Sequence, residues 1–572
     1  MSPVFEGGTH NPTFFMKQKK MSLVPNNIKF SLAFAFLVFF FRGTAMGYQF
    51  VKDGPVDITL EPVLASQWAC HIRDRDLYAR TIDGEAILVR DSQEGATILS
   101  PAIIARDNTL FIAWIEKGLK GNRLYAASVN KVGDPPCKPL EVAASTNATT
   151  ARIFTSGEEG VFILEALTGK GSEVFISVSG DQGKSFKRMR LNTDEVESLY
   201  SLAPVLINDT AWIFFFGTKG EQKSIWVKAY QIPTMEVKES ALIAETAGIS
   251  FITAVRAGDS PVAIYKTTEK EEFVLNVALK ESKNWQTLSV KGARGLDVAR
   301  LDYHAWDERL LIAFSGEKKN AFKQRVYAAV SENGGRSWGL KRIDARQFDN
   351  TMSWLPRIAV YGEKVAVVWE DSRDIRRRIR MKLSPDRGKT WLRRDIPVSD
   401  RKTYAIRPRI SSYQGNIYMA WHQYLSDEKR AVDTVLMKLA WDEAFIMANE
   451  EEKIISPREK KGLLIETVSQ YWDAMINKDH KTTYELHDPF FRARIPLDYY
   501  SSRRGPMVYH QYEILDAEIK GNEAIVKARV RYEIPSFRIM GRETSVPPKD
   551  FPIEDTWLFI DGRWHRKFVD AM

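Results

Sequence analysis

The sequence predicts a multi-domain chain, an all-β propeller over residues 48–445 followed by a cone-shaped α+β domain over residues 462–572. Three copies of one short turn motif occur in the longer part, within units of alternating strands that recur about every 50 residues. Near Glu443 the composition changes, and helical spacing then replaces strand alternation. The chain has 572 residues and 44% apolar side chains, enough to fill the cores of two domains.

The turn motif combines Ser, Asp or Asn, Gly and an aromatic residue at fixed spacing. Asp or Asn and Gly favour a tight turn with positive φ, the hydroxyl and carboxylate can bond turn amides, and the aromatic can pack inward. Each copy therefore predicts the tip of a hairpin. The copies are Ser179, Asp181, Gly183 and Phe186; Ser331, Asn333, Gly335 and Trp338; and Ser384, Asp386, Gly388 and Trp391.

A longer unit contains each motif: an apolar strand, a turn, a strand ending in an aromatic, and a third strand that enters the motif. Such units are typical of propeller blades. We expect seven blades, with six as the alternative because units three and four lack the motif. The last unit ends near Trp441 without a motif, so we expect an outer strand from residues 56–89 to complete it and close the ring. The units start at Pro101, Arg152, Pro204, Phe251, Arg300, Pro356 and Pro408.

The three motifs resemble Asp-boxes (BNR repeats), the signature of sialidase-like β-propellers, over roughly residues 57–445. In an active sialidase this resemblance implies three arginines, a tyrosine nucleophile paired with a glutamate, and an aspartate acid/base. The family's first arginine lies in an Arg-Ile-Pro motif, but the corresponding segment here, residues 97–101, has no arginine. The resemblance therefore supports the fold, and catalytic residues stay unknown. A sialidase-like glycoside hydrolase acting on acidic sugars is the alternative to a non-catalytic binding protein.

Alignment of the units places Arg152, Arg300, Arg357 and Arg409 at one position of the innermost strand. Four cations around the mouth of a central channel predict a site for an anionic ligand, such as a sugar carboxylate, a phosphate, a sulfate or an acidic peptide end. The alternative is that these arginines pack between blades and pair with carboxylates.

Three further residues are candidates for the same site. The run from Trp369 to Arg373 resembles one common in non-catalytic Asp-box propellers, in which Asp371 would bond turn amides and Arg373 would cover the aromatic or face the channel. His422 follows the aromatic residue Trp421 of the last unit, at a position that could approach the channel.

Residues 446–461 are rich in charge and predict a linker. Apolar spacing then predicts a helix over 463–476 and a second over 481–490, and alternation predicts strands over 509–519, 523–534, 554–560 and 563–569. This order resembles the nuclear transport factor 2-like (SnoaL-like) cone fold. The resemblance implies a pocket, so small-molecule binding or chemistry there is a second alternative function. Its expected lining is Tyr471, Trp472, Tyr484, His487, Asp488, Tyr499 and Trp557.

Residues 1–47 predict a signal peptide region. Lysines precede an apolar run over 30–41, and Ala45 and Gly47 supply the small residues of a cleavage site. The run is shorter than the roughly 20 residues of a membrane span, which favours a cleaved signal over an anchor. We therefore expect a secreted protein, periplasmic or extracellular, that touches the membrane only through this segment if it is uncleaved.

The charge balance favours anionic partners. The net charge is +9, but 73 acidic residues are interspersed among 82 basic ones, so we expect a mixed solvated surface and no nucleic-acid binding. Cys70 and Cys137 form either one disulfide or two buried thiols, and the sequence gives no argument for a metal or cofactor. It thus predicts an exported cell-envelope binding or scaffold protein whose propeller recognises an anionic glycan or an envelope protein.

Overall fold

The strands of the ring lie between residues 49 and 440. The structure is a computed structural model that describes residues 49–53, 63–73, 75–91, 96–106, 108–119, 121–130, 136, 138–148, 150–156, 160–167, 169–170, 173–191, 193–232, 234–245, 248–319, 323–344, 351–374, 376–400, 403–424, 432–449, 455–539, 542–560 and 562–567. The strands in chain order are β1 (Gln49–Asp53), β2 (Val63–Ala65), β3 (Trp68–Arg73), β4 (Asp76–Arg80), β5 (Ile87–Arg90), β6 (Thr97–Arg106), β7 (Thr109–Gly118), β8 (Gly121–Val129), β9 (Leu140–Thr146), β10 (Thr150–Ser156), β11 (Gly160–Leu167), β12 (Gly169–Lys170), β13 (Glu173–Ser179), β14 (Lys187–Leu191), β15 (Ser198–Ile207), β16 (Thr210–Lys219), β17 (Gln222–Gln231), β18 (Glu236–Glu245), β19 (Phe251–Ala257), β20 (Ser260–Glu269), β21 (Glu272–Glu281), β22 (Asn284–Ser289), β23 (Leu296–Trp306), β24 (Arg309–Lys318), β25 (Arg325–Ser331), β26 (Gly339–Arg342), β27 (Ser353–Tyr361), β28 (Lys364–Asp374), β29 (Arg376–Ser384), β30 (Ile396–Pro397), β31 (Tyr404–Tyr413), β32 (Asn416–Tyr424) and β33 (Asp433–Ala440).

These strands form eight antiparallel sheets that follow one another along the chain. We number them sheets 1 to 8. Sheet 1 holds β2–β5, sheet 2 β6–β9, sheet 3 β10, β11, β13 and β14, sheet 4 β12 with β15–β18, sheet 5 β19–β22, sheet 6 β23–β26, sheet 7 β27–β30, and sheet 8 β31–β33 with β1.

The number of sheets and the closing strand differ from the sequence prediction. Residues 63–90 form a complete sheet of their own, so the described residues build eight sheets where seven units were expected. The strand that completes sheet 8 is β1, whose Gln49 lies opposite Lys438, and not a strand from residues 56–89. Sheet 1 was missed because its first strand has three residues and it lacks the turn motif found in sheets 3, 6 and 7.

A cluster of buried apolar residues lies between each pair of neighbouring sheets. Trp68 and Trp114 pack between sheets 1 and 2, and Trp421 packs between sheets 7 and 8. Ala69 of sheet 1 packs with Leu436 of sheet 8, so the last sheet also contacts the first. A closed succession of sheets, seven with four strands and one with five, is a propeller-like all-β fold.

The predicted turn motifs are confirmed by one repeated hydrogen-bond pattern. In each, the motif serine Oγ accepts from the glycine N–H, at 2.8 Å in the first copy, 2.8 Å in the second and 2.9 Å in the third. The Asp or Asn oxygen accepts from the amide four residues later. Hydrogen bonds from Ser185 and Ser179 lower the pKa of Asp181 to about 2. The glycines Gly183, Gly335 and Gly388 all have positive φ, as the turn requires.

The C-terminal part has helices first and then one sheet, as predicted. The helices are α1 (Trp441–Asn449), α2 (Pro457–Ile476), α3 (His480–Glu485), α4 (Pro489–Arg494) and α5 (Leu497–Ser502); the strands are β34 (Val508–Lys520), β35 (Glu523–Ile539), β36 (Arg542–Ile560) and β37 (Arg563–Arg566). The sheet order is β34-β35-β36-β37. Leu464 and Val468 of α2 pack against Val526 and Trp557 of the sheet and form its core.

Two boundaries of this part differ from the prediction. The expected linker over 446–461 contains the end of α1 and the start of α2, where the Ser456 Oγ accepts from the Glu459 N–H and caps the helix. The helix expected over 481–490 is two short helices, and Pro489 begins the second because proline suits the first turn.

Several sequence predictions concern residues outside this description. The signal peptide region over 1–47 and Cys137 lie outside the described residues. Cys70 is a buried thiol in sheet 1, and its burial raises its pKa. Within the described residues, no helix combines the length and apolar character that a membrane span requires.

Candidate functional site

The centre of the ring brings together Arg152 and Tyr303. Arg152 lies on β10, the innermost strand of sheet 3, and Tyr303 lies on β23, the innermost strand of sheet 6. Each residue shifts the pKa of the other, although burial is the larger cause of the pKa shift in both. Sheets 3 and 6 are not neighbours, so this interaction passes across the middle of the ring. We call these two residues the channel site.

Arg152 is solvent-exposed and yet surrounded by protein. Its side chain is exposed, but burial lowers its pKa, as expected for a cation inside a narrow opening. Within the described residues it makes no hydrogen bond or ion pair with another side chain or backbone group. Its guanidinium is therefore available to an anion from outside.

Tyr303 is suited to contact a ligand and not to act as a nucleophile. It is 38% exposed, and burial, followed by Asp302, raises its pKa. A nucleophilic tyrosine needs the opposite shift, toward the phenolate. The residue therefore stays protonated at neutral pH and offers an O–H donor and an aromatic face.

The four aligned arginines do not share one position in the structure. Where β23 pairs with β24, Asp302 lies opposite Ala313. Arg357 and Arg409 hold the equivalent positions in sheets 7 and 8, opposite Val368 and Ala420. Arg300 lies two residues earlier, at a β-bulge where its φ is +50°.

The predicted ring of four cations is thus three arginines and one aspartate. Asp302 uses its Oδ2 to accept from the Ile358 N–H at 2.8 Å. Sheets 7 and 8 have a bulge at the same place, where Leu355 and Arg407 have positive φ. Arg300 therefore corresponds to Leu355 and Arg407, and the sequence alignment was two residues out of register in sheet 6.

The arginines also differ in their surroundings. Arg300 is exposed like Arg152 and makes no hydrogen bond or ion pair among the described residues. Arg357 and Arg409 are half-buried and have contacts within the protein. Ligand binding by all four stays a prediction, and it is best supported for Arg152.

Asp371, Arg373 and His422 are buried, and ligand binding by them stays a prediction. Arg373 donates to Asp371 through Nη2 at 2.7 Å and to Asp395 through Nη1 at 3.0 Å. This pairing opposes burial and holds the pKa of Asp371 well below its usual range. His422 Nδ1 lies 3.2 Å from the Thr434 Oγ1. The predicted bond from Asp371 to a turn amide is present, to the Arg373 N–H at 2.9 Å.

In the C-terminal part, most of the expected pocket residues are core residues. Tyr471, Trp472 and Trp557 are buried in the apolar cluster between α2 and the sheet, whereas Tyr499 is exposed.

The neighbouring polar residues of this pocket prediction have different partners. His487 Nε2 lies 3.2 Å from the Tyr500 hydroxyl, while Asp488 accepts from the Phe491 N–H at 2.8 Å. An acid/base pair of His487 and Asp488 is therefore not supported by their contacts.

The C-terminal part is attached at the end of the ring where the innermost strands begin. The Asn522 Nδ2 donates to the Arg373 carbonyl oxygen at 3.4 Å. Arg376 pairs with Asp488 and also donates to the Tyr404 hydroxyl, at the start of β31, at 3.2 Å. The three turn motifs lie at the opposite end of the ring, where the Arg387 N–H donates to the Glu363 carbonyl oxygen in the turn between β27 and β28.

Comparisons with known proteins add little. No protein-family model matches the sequence, and no curated protein matches it either. Similar solved structures include the polysaccharide lyase Uly1, 8% identical with a TM-score of 0.41 over 59% of this chain and 89% of that chain. The β-propeller domain of the Trilobed protease from Pyrococcus furiosus is 13% identical with a TM-score of 0.38 over 61% of this chain and 96% of that chain. The GH93 α-L-arabinofuranosidase of Fusarium graminearum with arabinobiose is 14% identical with a TM-score of 0.30 over 41% of this chain and 80% of that chain. Likenesses this weak carry no argument about activity, so the function rests on this chain's own residues.

Proposed function

We propose that this protein binds an acidic glycan at the channel site without cleaving it. The observation that carries the proposal is the position of Arg152, an exposed cation that interacts with Tyr303 across the centre of the ring and has no hydrogen bond or ion pair among the described residues. The proposal takes the eight sheets as the eight blades of one propeller, with the channel along its axis. The predicted export to the periplasm or the cell exterior remains part of it.

The chemistry of both residues suits an acidic sugar. A guanidinium binds both oxygens of a carboxylate or sulfate with two parallel hydrogen bonds. Arg152 is partly desolvated, so a ligand anion would regain hydrogen bonds that water supplies poorly there, worth about 1.5–3 kcal/mol for a bond to a charged group. The aromatic face of Tyr303 can pack on the apolar face of a sugar ring while its hydroxyl donates to a sugar oxygen.

Hydrolysis is less well supported than binding. The sialidase-like alternative needs a tyrosine activated by a carboxylate, and the raised pKa of Tyr303 opposes that role. Arg357 and Arg409 are half-buried and have contacts inside the protein, so they are less available than Arg152 for the carboxylate clamp of that mechanism.

Titration calorimetry with tetrasaccharides tests the proposal. We expect a uronic-acid tetrasaccharide to bind, a neutral cello-tetraose to bind much more weakly, and neither to release reducing ends. Arg152→Gln should weaken uronate binding by about tenfold or more, because it removes a charged hydrogen-bond donor.

The matched control is Arg336→Gln, an exposed arginine on an outer turn near Glu281, which should bind like the unmodified protein. Equal binding of the neutral sugar, or undiminished uronate binding by Arg152→Gln, would refute the proposal. Release of reducing ends would instead support the hydrolase alternative.

A further inference from the structure

The C-terminal part contains a second group of arginines, distant in sequence from the channel site. Arg492 lies on α4, Arg504 follows α5, and Arg566 ends β37. All three act on His487: burial, and after it the charges of Arg566, Arg504 and Arg492, lower the pKa of this histidine to about 3. Three separate segments thus bring their guanidinium groups around one neutral imidazole.

Several N–H groups of these arginines are buried without a partner. The Nε of Arg492, the Nε and Nη2 of Arg504 and the Nε of Arg566 have no hydrogen-bond acceptor within the part of the chain that the structure describes. Buried N–H groups in native proteins are nearly always bonded to protein, to ordered water or to an ion. Leaving them unpaired costs free energy, so a missing acceptor is expected here.

Protein carboxylates satisfy this group only in part. The Arg566 Nη2 pairs with Asp555 at 2.5 Å, and its Nη1 donates to the Tyr471 hydroxyl at 2.9 Å. Arg504 stacks on the Tyr500 ring at 4.0 Å and makes no ion pair among the described residues. Burial lowers its pKa, the interaction with Tyr471 opposes this shift, and the charge of Arg566 adds to it. The positive charge here therefore exceeds the negative charge.

The free donors of Arg504 have the geometry of an oxyanion receptor. Nε and Nη2 lie on one edge of the planar guanidinium, and their N–H bonds point in parallel, which matches two oxygens of one carboxylate, phosphate or sulfate. We propose that Arg504, together with Arg566 and Arg492, binds the oxyanion group of a small molecule inside the C-terminal domain. This site is separate from the channel site and does not depend on the proposed glycan binding.

Titration of the full-length protein with sodium sulfate, phosphate and acetate at constant ionic strength tests this inference. We expect at least one of the three oxyanions to bind and to raise the unfolding temperature above that in sodium chloride, because a ligand that binds the native state stabilises it. The relative affinities would show whether the site prefers a tetrahedral or a planar anion.

Variants at adjacent positions provide a matched pair. Arg504→Gln should weaken binding by about tenfold or more, whereas Arg503→Gln, which alters an exposed arginine stacked on Tyr499 at 5.2 Å, should leave it unchanged. Arg152→Gln should also leave it unchanged, which separates this site from the channel. Absence of binding by all three anions, or equal affinity of Arg504→Gln, would overturn the inference.

A measurement on the unmodified protein avoids any dependence on folding of a variant. Phenylglyoxal modifies accessible arginines, and peptide mass spectrometry resolves modification at Arg503 from that at Arg504. We expect the bound oxyanion to slow modification of Arg504 and not of Arg503. Equal rates with and without the anion would overturn the inference as well.

Discussion

Arg376 of sheet 7 and Asp488 at the start of α4 form an ion pair, with 3.4 Å between Nη2 and Oδ1. Both side chains are largely buried, at 18% and 4% exposure. Asp488 also caps α4 through the Phe491 N–H, and Arg376 also contacts the Tyr404 ring. One side-chain pair thus joins the first turn of a helix in the C-terminal part to the ring of sheets.

This pair should couple the stability of the two parts. We expect Arg376→Met and Asp488→Asn each to lower the free energy of unfolding by about 1–3 kcal/mol, because each leaves a buried polar group without its partner. The double variant should be less destabilised than the sum, with a coupling of about 0.5–3 kcal/mol. Urea unfolding of the four proteins measures it. Strict additivity would contradict the prediction, and the exposed pair of Lys319 and Glu271 is the control, at about 0–1 kcal/mol.

Arg373 should be essential to the stability of sheet 7. It is buried between Asp371 and Asp395 and pairs with both. Arg373→Met leaves the buried Asp371 without its ion-pair partner and leaves Asp395 with Arg380 alone, so we expect a loss of about 3–5 kcal/mol. Neutralising both carboxylates to Asn in the same chain should restore part of that loss. Thermal unfolding measures both effects, and Arg336→Met on the surface should change stability by less than about 1 kcal/mol. A similar loss for Arg373 and Arg336 would contradict this account.

The glycines of the turn motifs should differ in how well they tolerate substitution by alanine. At Gly388, φ is +87° and an added Cβ would lie 3.0 Å from the Leu311 Cδ1, so strain and crowding combine. At Gly183, φ is +82° but the nearest atom is 3.8 Å away, so strain acts alone.

We therefore expect the loss of stability to rank Gly388→Ala, at about 2–4 kcal/mol, above Gly183→Ala, at about 1 kcal/mol. Gly180, with ordinary φ and open space around it, should tolerate alanine with a change of less than about 0.5 kcal/mol. Urea unfolding gives the order. A Gly183 variant as unstable as the Gly388 variant would show that crowding is unimportant.

The sequence predicts local features of this fold well and features that depend on distant residues poorly. The turn motifs were predictable because their hydrogen bonds join residues that are close in sequence, such as Ser384, Asp386 and Gly388. The short first strand of sheet 1 has too few residues to show alternation, so a whole sheet was missed.

The candidate sites show the same division. Arg300 lies six residues before the end of β23, whereas Arg357 and Arg409 each lie four residues before the end of their strands, a difference that the weak sequence similarity between units did not reveal. Arg492, Arg504 and Arg566 come together only through the tertiary fold, and no local motif marks them.

Acid should destabilise the native state through two buried histidines. Burial lowers the pKa of His487 to about 3 and that of His304 to about 4, whereas an unfolded chain has a histidine pKa near 6.5. Between these values the unfolded state binds more protons than the native state, so the free energy of unfolding falls as pH falls. In this range each histidine contributes a slope of up to about 1.4 kcal/mol per pH unit. Its destabilising effect is complete once the pH lies below its native pKa.

His487→Gln isolates one of these contributions, because glutamine stays neutral and can still bond the Tyr500 hydroxyl. Urea unfolding between pH 5.0 and 6.5 should show a slope against pH smaller by about one proton than that of the unmodified protein. Asp371 does not interfere in this range: its native pKa is depressed, so its stabilisation is present above the unfolded value near 3.9 and is lost only below it. An unchanged slope for His487→Gln would mean that this imidazole is protonated as readily in the native state as in the unfolded chain.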